Sequence, residues 1–351
     1  TSNWLNDLKL RASWGINGND EIDNEATYTK YIASLSNASY NINGDNTTLA
    51  TGAYKSYTGN TNLRWEQTKQ INLGVDATML TNRLTFSLDY FNKNTSDMLY
   101  QPAYAAVKGE GGYSWTNCIS MNNKGLEAVA GWRDKIGKDF GYEITVNGSL
   151  YKNKITDLPT SLWYTFGGGT IDNSIVGQPL GSWMGYVTDG VFQTQAEVNE
   201  YKSKYDVQLG APGVGRIKYV DVNGDGKIST SDQKWLGTDN PKFIGGLNLA
   251  CSYKGFDLSL FFNGMVRDAW NNSKYYTDLF QCWTGNHSTR LLDALNAYKK
   301  FESTGNYSCD TPALTANDNN NESRGSDFYI EDGSFIKLKT ATLGYSLKKN
   351  M

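Results

Sequence analysis

Histidine is almost missing from this chain: His287 stands alone among 351 residues. A single imidazole removes most Ser-His-Asp and Cys-His arrangements, which need histidine to shuttle the proton. It also removes a histidine-based zinc site. The four cysteines, Cys118, Cys251, Cys282 and Cys309, form no CxxC pair and no other metal spacing. Cys282 and Cys309 share one polar segment, so pairing in an oxidising compartment and two free thiols both stay open. Proline is scarce, at 6 residues against 36 Gly, 23 Tyr and 10 Trp, and that balance favours strands and tight turns over helices. Charge of one sign is lacking too. With 33 Lys and Arg against 36 Asp and Glu, no basic stripe exists to neutralise phosphates, and no nucleic-acid partner is expected. No run reaches the roughly 18 to 20 consecutive apolar residues of a membrane helix. A mean hydropathy of -0.54 ordinarily reads as soluble, with one exception: a β-barrel, whose inner face is polar. The first residues, Thr-Ser-Asn-Trp, carry neither an initiator Met nor a signal peptide, which suggests a mature or partial segment.

What is present is alternation. In residues 72–79, Leu73, Val75, Ala77 and Met79 point one way and Asn72, Gly74, Asp76 and Thr78 the other. After the turn Thr81-Asn82-Arg83 the pattern repeats in residues 84–91, so the two segments predict a hairpin. Residues 125–132 and 140–151 predict a second hairpin, and residues 247–253 and 256–262, joined at Lys254-Gly255, a third. Single strands are expected over residues 8–15 and 335–346. Eight strands of roughly ten residues each match what a tilted strand needs to cross a bilayer.

The connections decide between architectures. Short ones near Asn82, Lys135 and Gly255 alternate with long ones over residues 16–63, 93–124, 153–243 and 265–334. Short turns at one rim and long loops at the other mark an outer-membrane barrel, since soluble sandwiches seldom carry long structureless loops. Aromatics near strand ends, among them Trp14, Trp65, Trp132, Tyr142 and Tyr253, agree with interfacial belts. The expectation is an all-β, antiparallel transmembrane barrel segment, with residues 154–242 and 265–334 as long extracellular loops. The alternative is a soluble, calcium-braced β-sheet module that binds carbohydrate.

The sharpest motif is "DVNGDGKISTSD", residues 221–232. Asp221, Asn223 and Asp225 hold positions 1, 3 and 5 of a calcium loop, Gly226 the sharp turn, Lys227 a carbonyl ligand and Asp232 position 12. A sensor uses the longer Glu at position 12, and neither flank is the amphipathic helix a sensor needs. A structural Ca²⁺ bracing a long loop is therefore the reading, against a metal-free Asx-rich turn. Loop tryptophans Trp115, Trp163, Trp183, Trp270 and Trp283 are candidates for stacking on a sugar or peptide, against ordinary loop packing. Lys9, Arg11, Asp76, Asp89, Glu127, Glu143, Asn147, Asn248 and Asp257 are expected on the inward, polar face. The glycine run 166–170 lacks the lysine and strand-to-helix setting of a phosphate loop, and no catalytic motif is found, so no enzyme is expected.

Several stretches, in order, resemble the C-terminal half of SusC/RagA-family TonB-dependent outer-membrane transporters: "WLNDLKLRASWGINGN", residues 63–100, "NKGLEA", residues 215–264 with the calcium-like loop, "NPKF" and "YKGFDLS", and "SDFYIEDGSFIKLKTATLGYSL". The resemblance implies a barrel of about 22 strands, with a plug domain and a TonB-contacting segment outside this sequence. It further implies a SusD-like surface lipoprotein as partner and uptake of oligosaccharide or peptide. About eight strands alone would leave open edges in lipid, so the final strands and the plug are expected from sequence beyond this chain.

Overall fold

The computed structural model describes residues 4–42, 44, 49–102, 114–160, 162, 175–278 and 288–347. The chain divides into two compact units. One, the sheet unit, takes Thr1–Thr165, Phe243–Gly264 and Ile336–Met351; the other, the insert unit, takes Phe166–Lys242 and Met265–Phe335.

The sheet unit is built on one eight-stranded sheet whose spatial order equals its chain order. Its strands are β1 (Leu5–Asn19), β2 (Glu66–Met79), β3 (Leu84–Tyr100), β4 (Thr116–Ile136), β5 (Phe140–Asp157), β6 (Phe243–Tyr253), β7 (Phe256–Val266) and β8 (Phe335–Tyr345). All eight expected strands are present, several of them much longer than ten residues. The pairings whose register is resolved, from β1 to β6, are antiparallel. The turn after β2 holds Leu80, Thr81 and Asn82 at positive φ (54, 57 and 62), and Lys254-Gly255 closes the β6–β7 hairpin with φ of 47 and 91.

Register shows why the alternation matters. Leu10 lies opposite Val75, Val75 opposite Leu88, Leu88 opposite Ala128, and likewise Ala130 opposite Val146 and Val146 opposite Leu247. Directly paired residues share a face, so the apolar positions of six strands merge into one surface. That surface is not covered: Leu10 is 77% exposed and Val146 50%. An apolar face of this extent does not belong in water, which removes the soluble-module alternative. Aromatics gather where the tight turns are: Trp132 Nε1 donates to Tyr142 Oη at 3.2 Å, and the rings of Phe256 and Tyr345 lie 4.5 Å apart.

Residues 154–242 and 265–334, expected as long extracellular loops, carry secondary structure of their own within the insert unit. Within it, Ser182–Gly185 pairs with Lys234–Thr238, Thr188–Val191 with Ile217–Tyr219, and Asp268–Trp270 with Ile330–Asp332. Helices run over Gln195–Lys204 and Arg290–Thr304. The first starts at Thr194, whose side chain accepts from Glu197 N, and the second stops at Gly305 with φ 69. A water-excluding core of Phe192, Val198, Tyr201, Ile217, Tyr219 and Ile228 packs against the first helix.

Candidate functional site

The polar face of the sheet carries the residues expected there. Register chains such as Arg11–Gly74–Asp89–Glu127, Val129–Asn147–Gly246 and Arg133–Glu143–Ala250 set them on the side opposite the apolar surface. Lys9 lies opposite Asp76 and Asn248 opposite Thr145 on that same side, and Asp257 alternates with Phe256 and Leu258. One cluster is tightly organised. Arg11 Nε reaches Asp76 Oδ2 at 2.7 Å and its Nη1 reaches Asp89 Oδ1 at 2.8 Å, while Ser87 Oγ donates to Asp76 Oδ1 at 2.8 Å. Gly74 makes room for it: a Cβ there would fall 2.4 Å from Asp89 Oδ1 and 2.8 Å from Arg11 Cζ. One guanidinium thus bridges three adjacent strands, with the planar donor fork that suits two carboxylates.

The calcium-like loop lies in the insert unit, against the end of helix Gln195–Lys204. Its middle, Lys227–Ile228, pairs in parallel with Asp206–Val207 just past that helix. Gly226 does take the sharp turn, at φ 78. Every carboxylate is turned to the loop's own backbone: Asp221 accepts from Gly224 N (2.7 Å) and Gly226 N (2.9 Å), and Asp225 from Lys227 N (2.8 Å). Asn223 Oδ1 accepts from Asp225 N at 3.0 Å. Asp232, fully buried, accepts from Val222 N at 3.0 Å and Ser229 N at 2.7 Å. Among the described residues no three His, Cys, Asp or Glu side chains converge as a metal shell. The donor set, three carboxylates, an amide oxygen and a carbonyl, still suits a hard cation in kind, because each carboxylate oxygen keeps a second lone pair.

Of the three candidate tryptophans among the described residues, two meet. Trp183 and Trp270 have ring centroids 5.6 Å apart, and Trp270 stacks on Tyr329 at 5.6 Å with an interplanar angle of 24°. Trp115 belongs to the sheet unit, where its carbonyl accepts from Asn60 Nδ2 at 2.8 Å. Trp163 and Trp283 lie outside the described residues, as do Cys282 and the glycine run 166–170. Trp235, which sequence reading passed over, is 39% exposed in the short strand Lys234–Thr238, with its Nε1 on Ser182 Oγ at 2.9 Å.

Elsewhere the insert unit is tied by a buried ion pair that no motif announces. Glu322 is fully buried and Arg216 nearly so; Arg216 Nη1 lies 2.8 Å from Glu322 Oε2, and Arg216 also donates to the Ala313 carbonyl. Glu322 Oε1 accepts from Ile217 N at 2.7 Å and Asn320 Nδ2 at 3.2 Å. Burial pushes the Glu322 carboxyl above its ordinary value, with Arg216 opposing. Burial likewise raises the Tyr275 phenol to about 12 and lowers Lys274. The pair joins the two long connections, which are about a hundred residues apart in sequence.

The family model for "TonB dependent receptor-like, beta-barrel" matches residues 3–227. The chain belongs to that family. Its relatives include TonB-dependent receptor P3 of Formosa agariphila, 31% identical over 99% of this chain and 33% of the relative, and TonB-dependent receptor SusC of Bacteroides thetaiotaomicron, 29% identical over 99% and 32%. Among solved structures, the RagAB peptide importer in its closed-closed state is 26% identical, with a TM-score of 0.73, covering 98% of this chain and 35% of that one. The chain spans about a third of the length of the relatives it matches. These relatives are receptors and transporters of the outer membrane, not enzymes. For a TonB-dependent receptor of the SusC/RagA type, the sheet is a wall segment of the barrel. Its apolar surface meets lipid and its polar face looks inward.

Proposed function

We propose that the protein to which this chain belongs is a SusC-like importer. It would carry oligosaccharide or peptide across the outer membrane, powered through TonB and covered by a SusD-like surface lipoprotein. The plug and the remaining strands that close the barrel would come from outside this sequence. The observation that carries the reading is the pairing of a lipid-exposed barrel wall with a folded, aromatic-bearing insert unit, together with relatives named SusC and RagAB. The insert unit would be extracellular, and Trp183, Trp270 and the exposed Trp235 would present ring faces to substrate or lid. The decisive experiment uses the full-length protein: ligand co-purified from cells is identified by mass spectrometry, and uptake of that ligand is measured with and without TonB. An unchanged uptake rate without TonB overturns the proposal.

Calcium belongs to the same proposal as a brace rather than a switch. Side-chain oxygens of Asp221, Asn223, Asp225 and Asp232 and the Lys227 carbonyl would hold the ion, neutralising carboxylates crowded into one loop. Calcium chelation should then speed proteolysis within the insert unit, and Asp221→Asn should abolish the difference. Equal cleavage with and without calcium removes the ion from the account.

A further inference from the structure

The long strands carry register beyond the apolar band, and what they place there is positive. Outward positions on β4 run Trp132, Ala130, Ala128, Leu126 and then Lys124; on β5 they run Leu150, Lys152, Lys154 and then Thr156; on β2 they run Ile71, Lys69 and then Gln67. Pairing sets Leu126 opposite Leu150, Lys124 opposite Lys152, Asn122 opposite Lys154 and Lys69 opposite Asn94. All four lysines are exposed, and among the described residues none is joined to a carboxylate. Asn122 Nδ2 donates to Asn92 Oδ1 at 2.6 Å and Asn94 Oδ1 at 2.7 Å, so neighbouring amides bind one another and leave the ammonium groups free. At the tight-turn rim the outward Asp134 instead pairs with Arg83 at 3.2 Å.

We propose that Lys69, Lys124, Lys152 and Lys154 form a binding row for the phosphate of an anionic lipid headgroup, in the leaflet that meets this rim. Three observations select that occupant. First, direction: the row shares the face of Leu126 and Leu150, 44% and 50% exposed, so it meets lipid and not the barrel interior. Second, level: from Asp134 to Lys124 is about 34 Å along the strand, which at a tilt of about 40 to 45° becomes roughly 25 Å, the height of a barrel's apolar band. The lysines therefore emerge at headgroup depth, where their stems lie on apolar surface and their ammonium groups reach outward. Third, charge: Lys124 and Lys152 sit directly opposite each other, a like-charge pair that is unfavourable until an anion stands between them.

The test compares full-length wild-type protein with the combined Lys69→Gln, Lys124→Gln, Lys152→Gln and Lys154→Gln variant. Both are held in phosphatidylcholine nanodiscs containing a minor share of diphosphoryl lipid A or of its dephosphorylated form, and the lipid A retained after detergent extraction is counted by native mass spectrometry. Each lysine should carry about fivefold in affinity, so the variant should retain diphosphoryl lipid A upwards of tenfold less, while the dephosphorylated lipid is retained poorly by both. Lys135→Gln with Lys254→Gln, at the opposite rim, should leave retention unchanged. Equal retention by wild type and variant overturns the proposal. So does equal wild-type retention of the two lipids, which would mean apolar contact only, or loss of a co-purifying protein with lipid unaffected. Heat-modifiable gel migration establishes that the variant barrel has formed; should it not form, Lys124→Gln with Lys152→Gln carries the same comparison.

Discussion

The sheet unit and the insert unit place the same residue types in opposite surroundings. In the sheet, Leu10 is 77% exposed and Trp14 69%; in the insert, Phe192 is 1% exposed and Ile228 0%. Ion pairs diverge in the same way. The Arg11–Asp76 pair leaves its partners 39% and 37% exposed, while Arg216 and Glu322 stand at 14% and 0%. The sheet gains its apolar burial from lipid, outside the protein, and can leave its polar face wet. The insert must bury its apolar side chains against themselves, so the polar groups it takes inside need partners, which Glu322 and Asp232 have and, among the described residues, Tyr219 Oη and Ser326 Oγ lack.

The largest effect should come from breaking the buried pair. Arg216→Ala leaves Glu322 without its counter-charge in a dry setting, a loss of about 3 to 5 kcal/mol. Limited proteolysis of the full-length protein should show the insert unit opening while the barrel keeps its heat-modifiable migration. If both regions fail together, the two units are one cooperative fold and the contrast collapses.

A somewhat smaller effect tests the lipid side. Val75 lies in the apolar band between Leu10 and Leu88. Val75→Arg should cost about 2 to 4 kcal/mol in a bilayer near its midplane, read from urea unfolding in vesicles. Asn72→Arg, on the polar face of the same strand, gives up hydrogen bonds with Gln70 and Ser13 and should cost about 1 kcal/mol. Equal costs at the two positions would mean that β2 does not divide lipid from interior.

Legibility in the sequence followed the same division. The apolar band was readable because period two survives wherever one face meets lipid: Leu73, Val75, Ala77 and Met79 are enough to place β2. The strands' polar ends were not, since Asn92, Asn94, Asn122 and Lys124 give no apolar contrast, and β4 therefore starts at Thr116 rather than near Gly125. The insert's helices had local signals that a search for alternation passes over. Thr194 stands three residues before Glu197, and Leu291, Ala294 and Ala297 bury one face of Arg290–Thr304. Arg216 and Glu322 had no signal at all, because a contact across so many residues is spatial. The calcium-like spacing of residues 221–232 describes a backbone-bonded turn as well as a metal site.

Titration sharpens the contrast further. Burial raises Glu322 above its ordinary carboxylate value of 4.5, so the folded insert holds a proton that the unfolded chain releases. Insert stability should fall as pH climbs from about 4.5 towards that raised value, and then level off. Glu322→Gln should flatten this part of the profile of melting temperature against pH. A wild-type profile that rises over the same window would show that Arg216 outweighs burial.

The smallest effect belongs to the exposed counterpart. Arg11→Ala removes a guanidinium that contacts Asp76 and Asp89 at 2.7 and 2.8 Å, as close as the buried Arg216–Glu322 contact at 2.8 Å. Geometry alone would make it costly. Solvent screens these charges, however, and the two carboxylates left behind can take up water, so the loss should be far smaller than that of Arg216→Ala and shrink further in high salt. Urea unfolding at low and high ionic strength measures it. A loss as large as that of Arg216→Ala would mean that the polar face is dry in the assembled barrel, with other parts of the protein packed over Arg11.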